Sequence, residues 1–190
     1  MGNTIPLDSI TSVSAMTFLN SRIVAAIALS SSAWAIINAY MGPIFWAATS
    51  LPFLCDILGF SSLTLVAWWT KRFGAVTLTG LVATLINFLV GGNVFFLGFT
   101  AASIVFDVMT RAAGYSNLFS RPYVSQGLMI FLAAASASVA GFIIAPVFMS
   151  MQVISGIVTF AGLHAVGGVL GGLAGVSLVK ALKVRRVLPA

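Results

Sequence analysis

The 190-residue chain is 60% hydrophobic and only 6% charged, and its mean hydropathy is +1.12. A soluble protein of this composition could not hydrate its surface, so the sequence predicts an integral membrane protein. The net charge of +6 does not indicate nucleic acid, because the basic residues are not interleaved with aromatic residues on one face. Cys55 is the only cysteine, which excludes intrachain disulfides and cysteine-based metal clusters.

Apolar stretches of roughly 17 to 30 residues, long enough to cross about 30 Å of hydrocarbon, predict an all-α bundle of six transmembrane helices. The predicted helices cover residues 16–40, 52–69, 73–90, 94–110, 122–145 and 152–182. We expect Gly42-Pro43 to stop the first helix, Pro52 to start the second, and Gly91-Gly92-Asn93 to form a turn. The sixth segment is longer than the bilayer needs, so it should tilt or protrude. Residues 1–15 form a polar N-terminal tail, 16–182 the membrane domain and 183–190 a basic tail.

Basic residues occur in alternate connections between these segments. They are Arg22, Lys71, Arg72, Arg111, Arg121, Lys180, Lys183, Arg185 and Arg186. Short loops rich in Lys and Arg stay in the cytoplasm, so the pattern predicts that both termini are cytoplasmic. The region after Arg22 also has features of a cleavable leader. Cleavage there would leave the sidedness of the later helices unchanged.

Small residues recur at helical spacing in three segments. The sets are Ala26 with Ser30, Ala28 with Ser32, Ala133 with Ala137 and Gly141, and Gly167 with Gly171 and Gly175, beside Gly168 and Gly172. Such positions let helix backbones approach closely in lipid. They are explained by packing within the chain or by a face that receives a partner helix. The first helix has more of them than one intrachain contact needs.

Three acids and one histidine are the ionisable candidates for chemistry. Asp8 lies in the polar tail, and Asp107 is spaced to pair with Arg111 on one helix face. Asp56, near the start of the second helix, is stabilised either by the helix dipole or by a wet cavity or polar partner. His164 lies at mid-membrane and forms either part of a site or a hydrogen bond to a neighbouring helix.

Uncharged polar groups and aromatic rings could complete a site at the charge-free side. Asn87, Asn93 and Gln152 supply hydrogen-bonding groups, and Trp34 offers a flat stacking surface. Tyr40 and Trp46 are more typical of an interfacial belt. One histidine without vicinal acids does not form a metal site, and no phosphate-binding loop is present. We therefore expect no resident cofactor, no metal and no ATP hydrolysis by this chain.

The order of these features resembles the substrate-binding S component of energy-coupling factor (ECF) vitamin transporters. The resemblance rests on residues 26–43, on Leu51 to Phe60, on Lys71-Arg72-Phe73-Gly74-Ala75 with Thr79-Gly80-Leu81, and on Phe96 to Phe99 with Ala101 to Asp107. It is similar in particular to the branch associated with hydroxymethylpyrimidine or thiamine-related compounds. The chain begins Met1-Gly2-Asn3, whereas metal-transporting members begin Met-His, so the resemblance argues against a metal substrate.

The resemblance implies a transport subunit in the plasma membrane of a prokaryote, and not an enzyme. Such a subunit binds a vitamin from outside and docks on a transmembrane T component driven by two cytoplasmic ATPases. The implied docking residues are Ala26, Ala28, Ser30 and Ser32. The implied binding residues are Trp34, Asp56, Asn87, Asn93, Gln152 and His164. Because every Lys and Arg falls on the other side, we expect a neutral or cationic flat heterocycle as the ligand. The alternatives are a non-catalytic accessory subunit of a larger membrane complex and an intramembrane enzyme that uses His164.

Overall fold

The computed structural model describes residues 20–120 and 122–187. Over these ranges the chain is 86% helix and has no strands. Its elements are α1 (Ser21–Thr49), α2 (Phe53–Thr70), α3 (Ala75–Leu89), α4 (Phe96–Ala113), α5 (Tyr115–Ser120), α6 (Pro122–Ile143) with a π-helical turn (Ile144–Phe148), and α7 (Ile154–Val184). The predicted tail 1–15 with Asp8, the basic residue Arg121 and the end of the basic tail, 188–190, lie outside the described residues.

Five of these helices are long and apolar enough to cross a membrane: α1, α2, α4, α6 with its π-helical turn, and α7. The shorter α3 is also apolar but has 15 residues, a length of about 22 Å at 1.5 Å per residue. Large apolar side chains remain exposed around the bundle, such as Leu29 at 72% and Ile154 at 77%. A soluble protein does not leave such a surface in water, so the bundle is that of a multi-pass membrane protein.

The first helix is longer than expected. It continues through Gly42 and Pro43 to Thr49, so the prediction that it stops at this pair is wrong. Proline removes one backbone donor, but its fixed φ is compatible with a helix, and membrane helices accommodate the resulting defect. Helix α1 instead ends where Ser50 adopts the left-handed conformation and donates its N–H to the Trp46 carbonyl oxygen.

The two ends of the bundle differ in charge. One end, called here the basic end, carries all the described Lys and Arg residues, from Arg22 at the start of α1 to Arg186 after α7. The opposite end, called the uncharged end, consists of the connections 50–52, 90–95 and 149–153, which contain no ionisable side chain. The stretch between the fourth and fifth predicted helices is largely helical, because α4 continues to Ala113 and the short helix α5 follows it.

Helix α7 packs against two neighbours through two glycine faces. A Cβ atom on Gly171 would lie 2.6 Å from the backbone oxygen of Asp56 in α2, and one on Gly175 would lie 2.6 Å from Thr64 Cβ. On the other face, a Cβ on Gly168 would lie 2.7 Å from the Ala133 backbone oxygen in α6. These backbones approach more closely than any larger residue allows, as expected for helices that associate in lipid.

Asp107 closes a helix terminus instead of pairing within its own helix. Its Oδ2 accepts hydrogen bonds from the backbone N–H groups of Gly74 (2.9 Å) and Thr77 (3.0 Å) and from the Thr77 hydroxyl (2.8 Å). A carboxylate at the amide groups that begin α3 is stabilised by unpaired donors and by the helix dipole. The predicted pair with Arg111 is therefore wrong, and the Arg111 guanidinium lies 5.5 Å from the centre of the Phe73 ring.

Tyr115, in the connection between α4 and α6, donates its hydroxyl to the other Asp107 oxygen at 3.3 Å. Burial, and next the nearby Asp107 charge, raise the pKa of Tyr115 to about 12. The phenol therefore stays protonated at neutral pH and remains a donor. Asp107 thus joins α3, α4 and α5 at the basic end.

Substitution of Gly171 by Ala is expected to destabilise the bundle by about 1–3 kcal/mol, because the new methyl group meets α2 backbone that cannot rotate away. The matched control is Gly162→Ala in the same helix, where a Cβ meets no atom within 4 Å. Thermal unfolding of both purified variants in detergent measures the difference. Equal unfolding midpoints would show that α7 does not depend on this close approach.

Candidate functional site

A cavity of about 400 Å³ lies at the uncharged end of the bundle. It is enclosed by the last third of α1, the start of α2, the start of α4, the π-helical turn and the first half of α7. No Lys, Arg, Asp or Glu lines it. The lining residues are Asn38, Gly42, Pro43, Phe45, Trp46, Leu51, Pro52, Leu54, Cys55, Asn93, Phe95, Phe96, Phe99, Ile144, Met149, Phe160 and His164.

Aromatic rings make up much of the cavity wall. Trp46 and Phe160 meet edge to face with ring centroids 6.3 Å apart. Phe99 and Phe160 flank the imidazole of His164 with centroids at 5.5 Å and 4.8 Å. Rings in these orientations offer both faces and edges to a planar molecule, so the wall is suited to a flat aromatic ligand.

His164 is the basic side chain of the wall, and Asp56 supports it from behind. His164 Nδ1 lies 2.9 Å from Asp56 Oδ1, and the two side chains are 1% and 0% exposed. Asp56 lies in the first turn of α2, where the helix dipole favours a negative charge. The hydrogen bond at Nδ1 fixes the orientation of the ring and leaves Nε2 as its second hydrogen-bonding atom.

The net charge of this pair depends on how many protons the two side chains hold. The pair is positive only when both Asp56 and His164 are protonated, and otherwise its net charge is zero or −1. His164 Nε2 and Asp56 Oδ2 are buried and have no hydrogen-bond partner within the protein. Buried polar atoms are nearly always paired, so these two atoms retain unused hydrogen-bonding capacity.

Asn38 is a second polar group with unused capacity in the cavity wall. Its side chain is 7% exposed, and its Oδ1 is buried without a partner in the protein. It lies one turn before Gly42, where an added Cβ would come within 3.2 Å of the same oxygen. The amide therefore occupies a space that a larger residue at position 42 would restrict.

Two of the predicted binding residues line the cavity, His164 and Asn93. Asn93 Oδ1 also accepts from the Phe95 N–H at 3.1 Å, which shapes the turn into α4. Asp56 does not line the cavity and acts on it only through His164. Trp34 also lies behind the wall, where it is 1% exposed and its ring centroid is 4.8 Å from that of Phe96.

The remaining two predicted binding residues do not line this cavity. Asn87 is buried between α3 and α1, where its Nδ2 lies 3.4 Å from the Ala35 backbone oxygen. It therefore joins two helices near the turn that follows α3. Gln152 is exposed in the connection before α7. Trp46, expected in an interfacial belt, lines the cavity and is also 40% exposed.

Sequence reasoning missed Asn38, Cys55 and the three phenylalanines 96, 99 and 160. A signal was present only for Asn38, which is a polar residue within an apolar helix and one turn before Gly42-Pro43. The phenylalanines could not be distinguished from lipid-facing residues, because their orientation depends on how four elements converge. No group of three His, Cys, Asp or Glu residues able to hold a metal ion occurs within 20–120 and 122–187.

The small residues of α1 fall on two different faces. Ser30 is buried and Ala26 half-buried, whereas Ala28 is exposed and Ser32 half-buried. Helix α1 packs mainly on α3 and α2, and Ser31 donates to the Thr79 backbone oxygen at 3.0 Å. Only the face that contains Ala28 is therefore available to another molecule without rearrangement of the bundle.

Comparisons of this chain with protein-family models, with curated proteins and with solved structures gave no match.

Proposed function

We propose that the protein is a membrane-embedded binding subunit that captures a small, flat, nitrogen-containing heterocycle in the cavity at the uncharged end. One observation carries the proposal. Two residues that line an aromatic cavity, His164 and Asn38, each have a buried polar atom, Nε2 and Oδ1, that has no partner in the protein. A ligand that fills the cavity can satisfy both atoms, which gives it hydrogen bonds as well as apolar contact.

The size and charge of the cavity narrow the ligand class. About 400 Å³ is at the lower end of the range for small-molecule sites and suits one or two linked rings. No fixed cation lines the wall to pair with a carboxylate or phosphate. A negative or neutral Asp56–His164 pair favours a cationic or hydrogen-donating ring, such as thiamine or its aminopyrimidine precursor, over an anionic vitamin.

In this proposal the chain is the S component of an ECF transporter in a prokaryotic plasma membrane. A transmembrane T component and two cytoplasmic ATPases would supply the energy, since no phosphate-binding loop is present in the sequence. The short α3 would be a sixth span, which places both termini and the basic end in the cytoplasm and opens the cavity to the outside. The exposed Ala28 face of α1 would dock on the T component.

The ligand prediction concerns Asp56→Asn. We expect thiamine or hydroxymethylpyrimidine to stabilise the unaltered protein. The variant should bind it roughly tenfold or more weakly, because it loses the charged hydrogen bond, worth about 1.5–3 kcal/mol, that orients the His164 ring toward the ligand. Thermal-shift screening of vitamins in detergent detects the ligand, since a concentration of about 100 Kd adds about 2.7 kcal/mol. Gln152→Ala is the control, because Gln152 lies outside the cavity, and its affinity should change less than about twofold.

Two results would contradict this assignment. Stabilisation by anionic folate or biotin with no effect of Asp56→Asn would show that the pair does not select the ligand. Stabilisation by none of the vitamins would favour the second class of function, a non-catalytic accessory subunit of a larger membrane complex.

The docking prediction concerns Ala28→Trp. A large ring on the exposed face of α1 would hold a partner helix away, so the partner module should no longer co-purify while ligand affinity is unchanged. Phe131→Trp on α6 is the control, because Phe131 is also exposed (62%) and lies on a helix that packs mainly on α7 and α4. Loss of the module in both variants, or in neither, would reject the α1 face as the docking surface.

The orientation prediction uses single cysteines in a Cys55→Ala background. Asn93→Cys is exposed at the uncharged end, and Val184→Cys, at a position 82% exposed, lies at the basic end. In intact cells an impermeant thiol reagent should label position 93 but not 184, and both positions after permeabilisation. The reverse pattern in intact cells would place the basic end outside and invert the proposed direction of binding.

A further inference from the structure

A second cavity lies at the opposite end of the bundle, between α2, α5, α6 and α7. Its volume is about 380 Å³, and its lining is mostly apolar, including Met129 on α6 and Val176 and Val179 on α7. Two cations, Lys180 and Lys183, stand at its rim. Their three-residue spacing puts both ammonium groups on one face of α7. The cavity therefore combines an apolar interior with a doubly positive entrance.

No acid in the described part of the chain neutralises these two lysines. The only acids within 20–120 and 122–187 are Asp56 and Asp107. Asp56 is paired with His164 in the other half of the bundle, and Asp107 accepts from the first turn of α3 and from Tyr115. The entrance is thus complementary to an anion that is supplied from outside the described chain.

A buried hydroxyl group gives the interior a polar contact as well. Thr64 is 1% exposed and lines the cavity, and its Oγ1 has no hydrogen-bond partner in the protein. It lies six residues before the end of α2, which is about 9 Å deeper than the helix terminus. A molecule that reaches Thr64 from the lysines must therefore be amphiphilic and longer than a phosphate ion.

We propose that this cavity binds an anionic phospholipid from the leaflet at the basic end. The phosphate lies between Lys180 and Lys183, an acyl chain follows Val176, Val179 and Met129, and the Thr64 hydroxyl donates to an oxygen near the glycerol backbone. Cations beside a membrane attract anionic lipids in general. The apolar cavity and its unpaired hydroxyl distinguish this site from that general attraction. The proposal does not depend on the identity of the ligand at the uncharged end.

The test is titration of the purified full-length protein in neutral detergent with dioctanoyl phosphatidylglycerol, followed by native mass spectrometry. We expect one lipid per chain and roughly tenfold or more weaker binding by Lys180→Gln/Lys183→Gln, since the variant loses direct charged hydrogen bonds to the phosphate. The control Arg22→Gln/Lys71→Gln removes the same charge from exposed positions outside the cavity and should bind within about twofold. Thr64→Val, which keeps the shape of the side chain, should weaken binding several-fold.

Each other outcome overturns the proposal in a distinct way. Equal losses in the two charge-removing variants would mean general electrostatic attraction without a site. Binding of glycerol 1-phosphate as tightly as the lipid would assign the cavity to a soluble phosphate compound. Equal binding of dioctanoyl phosphatidylcholine would remove the requirement for an anion. If neither lipid binds to the unaltered protein, the lipid proposal is wrong, and a segment of a protein becomes the expected occupant of the cavity.

Discussion

The close approach of the α7 backbone to α2 determines the arrangement of this bundle. Gly167, Gly171 and Gly175 face α2, and a Cβ on Gly167 would lie 2.3 Å from Asp56 Oδ2. Because the helices meet without intervening side chains, His164, one turn before Gly167, comes within hydrogen-bond distance of Asp56. Two ionisable groups 108 positions apart are joined only because a stripe of glycines brings their helices together. The candidate site thus depends on glycines that carry no functional group of their own.

The distribution of charge gives the two cavities opposite character. All the described cations lie at the basic end, and the two described acids have other partners, Asp56 in the His164 pair and Asp107 at the start of α3. The cavity at the uncharged end is therefore aromatic and neutral or negative, whereas that at the basic end is apolar with two unneutralised lysines. The charge asymmetry that predicts the membrane orientation thus also gives each cavity the charge that a ligand would meet.

Hydropathy and glycine spacing predicted the helical bundle and the packing stripe, because both depend on local composition. The end of α1 was predicted wrongly, since Pro43 fits within a helix that continues to Thr49. Asp107 was assigned to Arg111 by spacing, but three donors at the start of α3, distant in sequence, bind it instead. The cavity wall was largely unpredictable for the same reason. Four elements and the π-helical turn converge on it, and sequence periodicity does not show which side of each helix faces inward.

The Asp56–His164 pair is a poor means of stabilising a bundle. The desolvation of two buried ionisable groups offsets most of their attraction, and apolar residues of similar size often stabilise a core as well or better. Asp107 shows the contrast, since four donors satisfy its two carboxylate oxygens. Asp56 Oδ2 and His164 Nε2 have no such partners. A buried pair whose His164 ring lines an aromatic cavity with Nε2 unsatisfied is better explained by a ligand that pairs with that nitrogen than by the stability of the fold.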